Sequence, residues 1–317
     1  MAACARLASR ARPLARPNPG VAAVVVSPDG KVQGRGWTAP GGRPHAEAAA
    51  LASLAPDAVH SATLYVTLEP CAHQSPRGPA CADLIAAARP ARVVIGQRDP
   101  DPRTAGQGIA RLEAAGIATT LLDDAAAARS LAGFLTRQQH GRPFVTLKLA
   151  MSLDGCIALA DGTSQWITGD AARAHVHAVR ARHDAILVGG GTWRSDQPRL
   201  DVRLPGLEQR SPRRAVLTSG AVPADVTAIA APQDIAGLDG VLYLYVEGGA
   251  ATAAAFLAAD LVDELHLYRA PIVIGDGLRA VGPLGLGDLA SAHGRWHLCE
   301  RRQLGSDTFE AYGRTGI

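Results

Sequence analysis

The stretch PHAEAAAL at residues 44–51, followed by VTLEPCAHQSPRGPAC at residues 66–81, decides the fold of the first half of the chain. The first segment begins an Ala/Leu-rich helix, predicted over 45–55, with Pro44 just ahead of it, where proline is well tolerated. The second segment continues a β-rich run, predicted as a strand over 62–68, and reaches a further helix, predicted over 81–88. Alternation of strands and helices at this spacing indicates an α/β layered fold.

The same alternation continues outward in both directions. In the first half, further strands are predicted over 21–27, 92–96 and 117–122, with helical segments over 108–115 and 123–139. A second series of strands is predicted over 144–150, 185–189, 214–218, 241–246 and 264–269. The loop HGRP at 140–143 separates the two series, and no internal repeat relates them. We therefore expect two different α/β domains, 1–142 and 143–317.

Composition limits the classes of protein that this chain can belong to. Its 317 residues are 47% hydrophobic and 19% charged, which suits two packed cores rather than disorder. The net charge is +3 with arginines spread along the chain, so no nucleic-acid partner is indicated. No apolar run is long enough to predict a membrane span. The first twenty residues are Arg-rich and free of acid, like a transit peptide, but PNPG leads directly into the first strand, which disfavours that interpretation. Five cysteines in so long a chain do not suggest a disulfide framework, so we expect a reduced, cytoplasmic protein.

Four residues in the opening motifs predict a catalytic metal centre. His45 and Glu47 lie in PHAE, Cys71 follows the strand in EPC, and Cys81 opens the next helix. One imidazole and two thiolates form a three-ligand zinc site with a coordination position left open for catalysis. Glu47 is placed to take a proton from the bound water. H-x-E with a later P-C and a second Cys is a variant of the zinc deaminase signature.

Simpler interpretations exist for each residue taken alone. A single His at a helix start is commonly a cap or a surface residue, and a single Cys is commonly part of a core. Cys4, Cys156 and Cys299 lack the metal context and are predicted to be buried thiols, and His73 to be a pocket-lining or loop residue. A tRNA deaminase would share H-A-E, but a tight C-x-x-C and a basic surface are expected of it. The wide spacing from Cys71 to Cys81 disfavours that alternative.

The first half resembles the deaminase half of the bacterial bifunctional riboflavin deaminase/reductase family. PNPGVAAVVV, PHAEAAAL, VTLEPCAHQSPRGPAC and QRDPDPRTAGQGIARLEAAGI carry the resemblance. It implies a cytidine-deaminase-like α/β/α domain, and a pyrimidine contact for Asn18, which could otherwise be a turn residue. Three departures stand out: nine residues rather than eight separate the two cysteines, P-R-G-P-A-C replaces G-R-T-P-P-C, and Val21-Ala22 replaces V-G. They affect substrate contacts from 73–80 more than the metal.

The second half contains no G-x-G-x-x-G fingerprint, so a standard dinucleotide-binding domain is not predicted. Glycine clusters at Gly189–Gly191 and Gly248–Gly249 follow strand-like runs, where backbone N–H groups can approach phosphates or simply form tight turns. GRPFVTLKLAMSLDG, SQWIT, RARHDAILVGGGTWRSDQPRLDVR, VEGGA and LVDELHLYRAPIVIGDG resemble the same family's reductase half. The resemblance implies a dihydrofolate-reductase-like fold that binds NADPH.

Carried over by matching positions, the resemblance implies two sets of contacts in the second half. The cofactor contacts are Ala150, Trp166, Thr192, Asp196, Ser219 and Gly249. The substrate contacts are Ser164, Arg180, Leu200, Arg203 and Glu247, with the arginines suited to a sugar phosphate. Lys148 and Asp154 lie beside the predicted cofactor strand. Cys156 and Asp201 replace the family's usual basic residue and Thr, and the half is shortened by some tens of residues.

The sequence therefore predicts a bifunctional enzyme of riboflavin biosynthesis. The expected reactions are zinc-dependent deamination of 2,5-diamino-6-ribosylamino-4(3H)-pyrimidinone 5′-phosphate and NADPH-dependent reduction of the ribosyl group to a ribityl chain. The expected partners are small phosphorylated pyrimidines, and association into a homo-oligomer stays open. The alternative is a deaminase whose second half is a ligand-binding domain without catalysis.

Overall fold

The computed structural model describes residues 1–73 and 78–316. The described chain divides into two compact units, Met1–Gly141 and Arg142–Ile317, next to the boundary expected from the HGRP loop. None of its helices combines the length and the apolar character that crossing a membrane requires.

The first unit is built around a five-stranded sheet with the order β2-β1-β3-β4-β5. Its strands are β1 Ala22–Val26, β2 Val32–Trp37, β3 Thr63–Leu68, β4 Arg92–Gln97 and β5 Ala118–Leu121. Its helices are α1 Ala2–Ala8, α2 Ala46–Leu51, α3 Pro56–His60, α4 Cys81–Ala88, α5 Gln107–Ala114, α6 Ala125–Ser130 and α7 Ala132–His140. β1 runs antiparallel to β2 and β3, and β3, β4 and β5 are parallel.

Helices cover both faces of this sheet because its strands are apolar on both sides. On β1, Ala23 and Val25 join the core beneath α2 and α4, whereas Ala22 packs with Cys4 and Ala8 of α1. The Arg-rich opening segment thus begins with a helix that packs against the sheet. The predicted α/β/α layering of this half is confirmed.

Glycines on β2 bring α2 unusually close to the sheet. A Cβ built on Gly34 would lie 2.4 Å from the Ala50 carbonyl oxygen, and one on Gly36 would lie 2.3 Å from that of Ala46. Both neighbours are helix backbone, which a side chain could not push aside without moving the helix. These two glycines therefore set the position of α2, and with it the position of the residues at its start.

The second unit contains an eight-stranded sheet with the order β10-β9-β8-β11-β6-β12-β15-β14, and a separate pair of β7 with β13. Its strands are β6 Phe144–Met151, β7 Cys156–Ala158, β8 Ala185–Gly189, β9 Arg213–Leu217, β10 Val226–Ile229, β11 Tyr243–Val246, β12 Glu264–Arg269, β13 Leu278–Arg279, β14 Trp296–Leu304 and β15 Asp307–Arg314. Its helices are α8 Asp170–Arg180, α9 Gly190–Asp196 and α10 Ala250–Ala258. The first six strands in that order run parallel to one another: β10, β9, β8, β11, β6 and β12. The β14–β15 hairpin completes the sheet, with β15 antiparallel to β12 and to β14.

Alternate residues of the central strands enter two different cores. Leu147 and Leu149 of β6 join the cluster that includes Phe256 of α10. On the other face, Tyr245, Tyr268 and Phe309 pack with residues of α8. The mixed sheet with helices on its two faces agrees with the predicted dihydrofolate-reductase-like class.

Several elements differ from the prediction in extent. The helix predicted over 45–55 ends at Leu51, and α3 follows after a turn; Pro56 is at the start of this second helix. The segment predicted as helical over 123–139 is two helices, α6 and α7, which meet at Leu131. Strands β2, β7, β10 and β13 and the β14–β15 hairpin were not predicted.

Candidate metal centre and reductase site

His45, Cys71 and Cys81 come together where three elements of the first unit end or begin. His45 immediately precedes α2, Cys71 follows the end of β3, and Cys81 is the first residue of α4. The ligand atoms of the three residues all lie within 4.8 Å of one another. The loop after the parallel strand and the two helix starts therefore aim one nitrogen and two sulfurs at a common point.

The distances among these atoms suit a tetrahedral zinc ion. The His45 Nδ1 atom lies 3.6 Å from the Cys71 Sγ atom and 3.3 Å from the Cys81 Sγ atom. Zn–S and Zn–N bonds of ordinary length, at a tetrahedral angle, require a separation of about 3.6 Å between sulfur and nitrogen. Both cysteines are buried, and three ligands leave one position open. The donor set and its spacing therefore fit zinc.

The local environment stabilises a thiolate at Cys71. The hydrogen bond from the Cys81 thiol is the largest influence, and together with His45 it lowers the pKa of Cys71 to about 4. The backbone N–H of Cys81 also donates to the Cys71 Sγ atom over 3.3 Å. Conversely, the pKa of Cys81 is raised, because its thiol donates that hydrogen bond and is buried. Before a metal binds, the pair therefore holds one negative charge readily.

Glu47 lies two residues into α2 and is only 3% exposed. Burial raises the pKa of its carboxyl group above the ordinary value, and the negative charge near Cys71 adds to the rise. A raised pKa means that the carboxyl group takes up a proton more readily than an exposed glutamate does. The position of Glu47 beside the ligand cluster therefore suits a proton carrier.

A cavity of about 420 Å³ opens onto this cluster within the first unit. Its wall includes two ligands, the proton carrier and the predicted pyrimidine contact, and also further polar groups that the sequence motifs did not single out. The residues are His45, Glu47, Cys71, Asn18, His73, Arg43, Glu69, Asp99, Asp101, Arg103 and Gln138, with apolar walls from Val21, Leu68 and Phe134. The volume suits a small molecule.

Glu69 is a residue of this wall whose role the sequence did not reveal. It is 2% exposed, and its carboxylate accepts hydrogen bonds from the backbone N–H groups of Asp99, Gly106 and Ile109. These bonds fix the loop after β4, which carries Asp101 and Arg103 to the cavity. The E-P-C motif drew attention to this position in the sequence. Only the fold shows that its Glu accepts hydrogen bonds from a segment some thirty to forty residues further along the chain.

In the second unit, the two glycine clusters meet at the carboxyl ends of adjacent parallel strands. α9 begins at Gly190 after β8, and α10 begins at Ala250 after β11. A Cβ on Gly189 would lie 2.2 Å from the Thr252 Oγ1 atom, and one on Gly249 would lie 3.9 Å from the Thr192 Oγ1 atom. Two helix starts with bare backbone N–H groups therefore lie side by side, an arrangement that suits a phosphate.

A buried ionic group lies on the same sheet. Arg180 of α8 donates from Nε to Glu247 over 2.6 Å and from its second terminal nitrogen over 3.0 Å. Lys148 of β6 lies 3.7 Å from the same carboxylate. Burial would raise the pKa of Glu247, but the charges of Arg180 and Lys148 outweigh it and hold this pKa below its ordinary value. Burial disfavours the charged form of Lys148 as well, and because this form is the protonated one, the pKa of Lys148 is lowered.

Comparisons with known proteins match both units. The family described as the cytidine and deoxycytidylate deaminase zinc-binding region matches residues 1–97, and the RibD C-terminal domain matches residues 143–236 and 234–309. The riboflavin biosynthesis protein RibD of Escherichia coli (strain K12) is 37% identical, over 97% of this chain and 96% of its own. The chain belongs to the RibD family. The predicted family, fold class and pairing of a deaminase with a reductase in riboflavin biosynthesis are thereby confirmed.

Other members of the RibD family agree along most of the chain. RibD of Mycobacterium tuberculosis (strain H37Rv) is 36% identical, over 92% of this chain and 89% of its own. The solved structure of Acinetobacter baumannii RibD, form 1, is 32% identical with a TM-score of 0.85, over 99% of this chain and 97% of its own. A Thermotoga maritima structure titled diaminohydroxyphosphoribosylaminopyrimidine deaminase/5-amino-6-(5-phosphoribosylamino)uracil reductase is 30% identical, with a TM-score of 0.85, over 98% and 97%.

The predicted reductase residues differ in where they lie on the second unit and in how far they are buried. Ala150, Thr192, Gly249 and Glu247 lie at or beyond the carboxyl ends of β6, β8 and β11. By contrast, the predicted contacts Ser164, Trp166, Asp196, Arg203 and Ser219 are exposed. The guanidinium of Arg173 covers the Trp166 ring at 4.7 Å, and Leu200 is buried.

Arg180 was predicted as a ligand for a sugar phosphate, and its structural role is more specific. Its Nε atom and one terminal nitrogen bind Glu247, and the other terminal nitrogen donates to the Asp201 carbonyl oxygen over 2.9 Å. All three nitrogens of the planar fork therefore have protein acceptors. Arg203 forms an ion pair with Asp201, in which its Nε atom lies 3.6 Å from the carboxylate.

One prediction about the remaining cysteines is wrong. Cys4 and Cys156 are buried as expected, but Cys299 is exposed. It lies on β14, the edge strand of the large sheet, where the side chains of one face meet solvent rather than a packed helix. His73 lines the cavity of the first unit, as one of its two predicted roles required.

Proposed function

We propose that the first unit deaminates 2,5-diamino-6-ribosylamino-4(3H)-pyrimidinone 5′-phosphate and that the second unit reduces the resulting ribosyl group with NADPH. The observation that carries the proposal is the cavity in which buried Glu47 adjoins the His45, Cys71 and Cys81 cluster. A deaminase requires a metal-binding donor set and a proton carrier next to a space for the ring. The residues of this cavity meet those requirements.

In the proposed deamination, His45, Cys71 and Cys81 hold the metal. A bound Zn²⁺ lowers the pKa of coordinated water toward neutrality. Glu47 takes one proton from the attacking water, which adds to C2 of the ring, and delivers it to the ring nitrogen. It then carries a second proton to the departing amino group, so that water and an amino group become a carbonyl and ammonia. Asn18 orients the pyrimidine from the cavity wall.

In the proposed reduction, a hydride passes from NADPH to C1′ of the ribosyl group. The cofactor contacts are Ala150, Trp166, Thr192, Asp196, Ser219 and Gly249, with the starts of α9 and α10 facing the cofactor phosphates. The substrate contacts are Ser164, Arg180, Leu200, Arg203 and Glu247. The paired state of Arg180 supports a role in holding Glu247 ionised at the substrate, together with any phosphate contact.

The chemistry of the cysteines supports a cytoplasmic location. None of the five cysteines forms a disulfide: Cys71 and Cys81 are the proposed metal ligands, and Cys4, Cys156 and Cys299 are thiols, a state that persists in a reducing compartment.

The decisive experiment is a coupled assay on the purified chain with zinc quantified. We expect ammonia release from the diaminopyrimidinone, and NADPH oxidation that depends on the aminouracil product. Glu47→Ala should lower deamination by about 10²- to 10⁴-fold while zinc content and NADPH oxidation persist.

Each outcome of this assay addresses one part of the proposal. Zinc-loaded protein that releases no ammonia would contradict the deaminase. Absence of aminouracil-dependent NADPH oxidation would favour the alternative, in which the second unit binds a ligand without catalysis. Equal loss of both activities in the Glu47 variant would contradict two separate sites.

A further inference from the structure

Arg43 lies in the loop before α2, two residues ahead of His45, and lines the cavity of the first unit. Its side chain is partly buried, and a terminal nitrogen lies 3.3 Å from the position that a Cβ on Gly78 would occupy. The guanidinium therefore lies beside the segment that leads into Cys81. No sequence motif and no step of the proposed reaction uses this residue.

The Nε atom of Arg43 is buried and has no hydrogen-bond partner among the described residues. An unpaired buried donor is unfavourable, and native structures rarely leave one without a partner. Two other groups of the cavity wall share this condition, namely the Asn18 Nδ2 and His73 Nδ1 atoms. All three residues line one cavity, so a molecule bound there would lie beside three side chains whose hydrogen-bonding capacity is not used within the described protein.

The other cation of the cavity wall is already engaged. Arg103 donates from Nε to both carboxylate oxygens of Asp101 over 3.0 Å each, and its terminal nitrogen bonds the same group over 2.5 Å. Of the two arginines in the described part of the wall, Arg103 is bound to a carboxylate and Arg43 is not.

The remaining ionisable groups of the wall are mostly acidic: Glu47, Glu69, Asp99 and Asp101. A dianionic phosphate would be repelled by these carboxylates, and a guanidinium binds such a group with two parallel hydrogen bonds. The amide of Asn18 is neutral and does not compete for it. The wall therefore combines four carboxyl groups with two guanidinium groups, of which Arg103 is paired with Asp101 and Arg43 has no carboxylate partner among the described residues.

We propose that Arg43 binds the 5′-phosphate of the substrate and so sets the preference of the deaminase for phosphorylated over dephosphorylated substrate. This inference rests on the proposed deamination. It assigns to Arg43 a role in substrate affinity, outside the chemical step that Glu47 performs. Neutralisation of the acidic wall is the competing role, and it predicts a different dependence on the phosphate.

The test compares two substrates, the 5′-phosphate and its dephosphorylated form, in zinc-loaded full-length protein. Arg43→Ala should raise KM for the phosphorylated substrate by about 10- to 100-fold, the loss expected when hydrogen bonds to a charged group are removed. The kcat value and all parameters for the dephosphorylated substrate should stay unchanged. Arg43→Lys should recover part of the affinity, because it keeps the charge but loses the planar fork.

Arg35→Ala is the matched control, because Arg35 lies on β2, is exposed and does not line the cavity. It should change neither substrate. Inorganic phosphate should inhibit the wild-type deaminase competitively, with an inhibition constant that rises in Arg43→Ala.

Failure of the proposed function and failure of this inference are distinguishable. Turnover by the wild-type protein tests the function, whereas the ratio between the two substrates tests Arg43. If the wild-type protein turns over neither compound, titration calorimetry of the same pair still decides: Arg43→Ala should abolish the advantage of the phosphorylated one. An equal loss for both compounds would assign Arg43 to neutralising the cavity, and no loss for either would remove it from binding; both results overturn the inference.

Discussion

The two units present their functional residues in different ways. In the first, three side chains from the starts of two helices and the end of a strand converge within 4.8 Å beside a cavity. In the second, the predicted contacts lie along the carboxyl edge of a wide sheet, several of them exposed, with one buried ionic group behind them. The chemistry of the first unit can therefore be inferred from the three converging ligand atoms, whereas the predicted contacts of the second unit are spread along a sheet edge.

The largest effect is expected from a substitution that removes one of the three metal ligands of the first unit. Cys81→Ala deletes one of two thiolates and leaves a two-ligand set that cannot hold zinc tightly. Zinc content should fall below stoichiometric, and ammonia release should decrease by at least about 10³-fold. Aminouracil-dependent NADPH oxidation should persist; a parallel loss of that activity would show that the two units do not act separately.

The next largest effect is expected from a substitution that removes the carboxylate of the buried ionic group in the second unit. Glu247→Gln leaves Arg180 and Lys148 buried without their carboxylate, which should lower the free energy of unfolding of this unit by about 3 kcal/mol. Reductase activity should fall while deamination persists. Denaturant unfolding followed in this unit measures the change, with exposed Glu208→Gln as the control.

The pH dependence of that group has a defined sign. Because the folded pKa of Glu247 lies below its ordinary value, folding favours the ionised form. Its contribution to stability is fully present above the ordinary glutamate pKa of about 4.3 and is lost as the pH falls through the lower folded value. Glu247→Gln should therefore flatten the acid limb of the stability profile; an unchanged limb would show that Glu247 does not contribute to it.

A smaller effect tests how the first unit positions α2. Gly36→Ala places a Cβ against the carbonyl oxygen of Ala46, so the helix that carries Glu47 must move. We expect a loss of about 1–3 kcal/mol in stability and a decrease in deamination. Gly237→Ala is the control, because its Cβ would meet open space. Equal effects of the two substitutions would refute the importance of this close contact.

The smallest effect concerns Cys299, the exposed thiol of the second unit. Cys299→Ser should leave both activities intact and change stability by less than about 0.5 kcal/mol. A thiol reagent should modify this residue first in the native zinc-loaded protein, because the other four cysteines are buried. Faster modification of Cys71 or Cys81 would mean that the metal cluster is more open than the structure shows.

The sequence predicted the first site well because its chemistry is local. H-A-E at a helix start and P-C after a strand place His45, Glu47 and Cys71 by secondary structure alone. The pairing of Arg180 with Glu247 joins residues 67 positions apart, and it depends on how α8 crosses the sheet. No periodicity in a single sequence contains that information.

The missed strands have a comparable explanation. β14 reads WHLCERRQL, in which charged residues interrupt the apolar alternation that predicts a strand, because the strand lies at the sheet edge and is largely exposed. A Gly-Ser turn at Gly305 was the available signal, since Gly with positive φ suits a two-residue hairpin. The role of Glu69 was hidden for another reason: its three partners are backbone groups of a distant loop.

The close contact between α2 and β2 has a consequence for how the first unit unfolds. His45 arrives with α2 on one side of β1, and the two cysteines arrive with β3 and α4 on the other. A metal held by all three would add a crosslink between α2 and α4, which already share the core of this unit. Chelation should therefore lower the melting temperature of the first unit and leave that of the second unchanged. The difference between the two melting temperatures would then report how much metal the first unit retains.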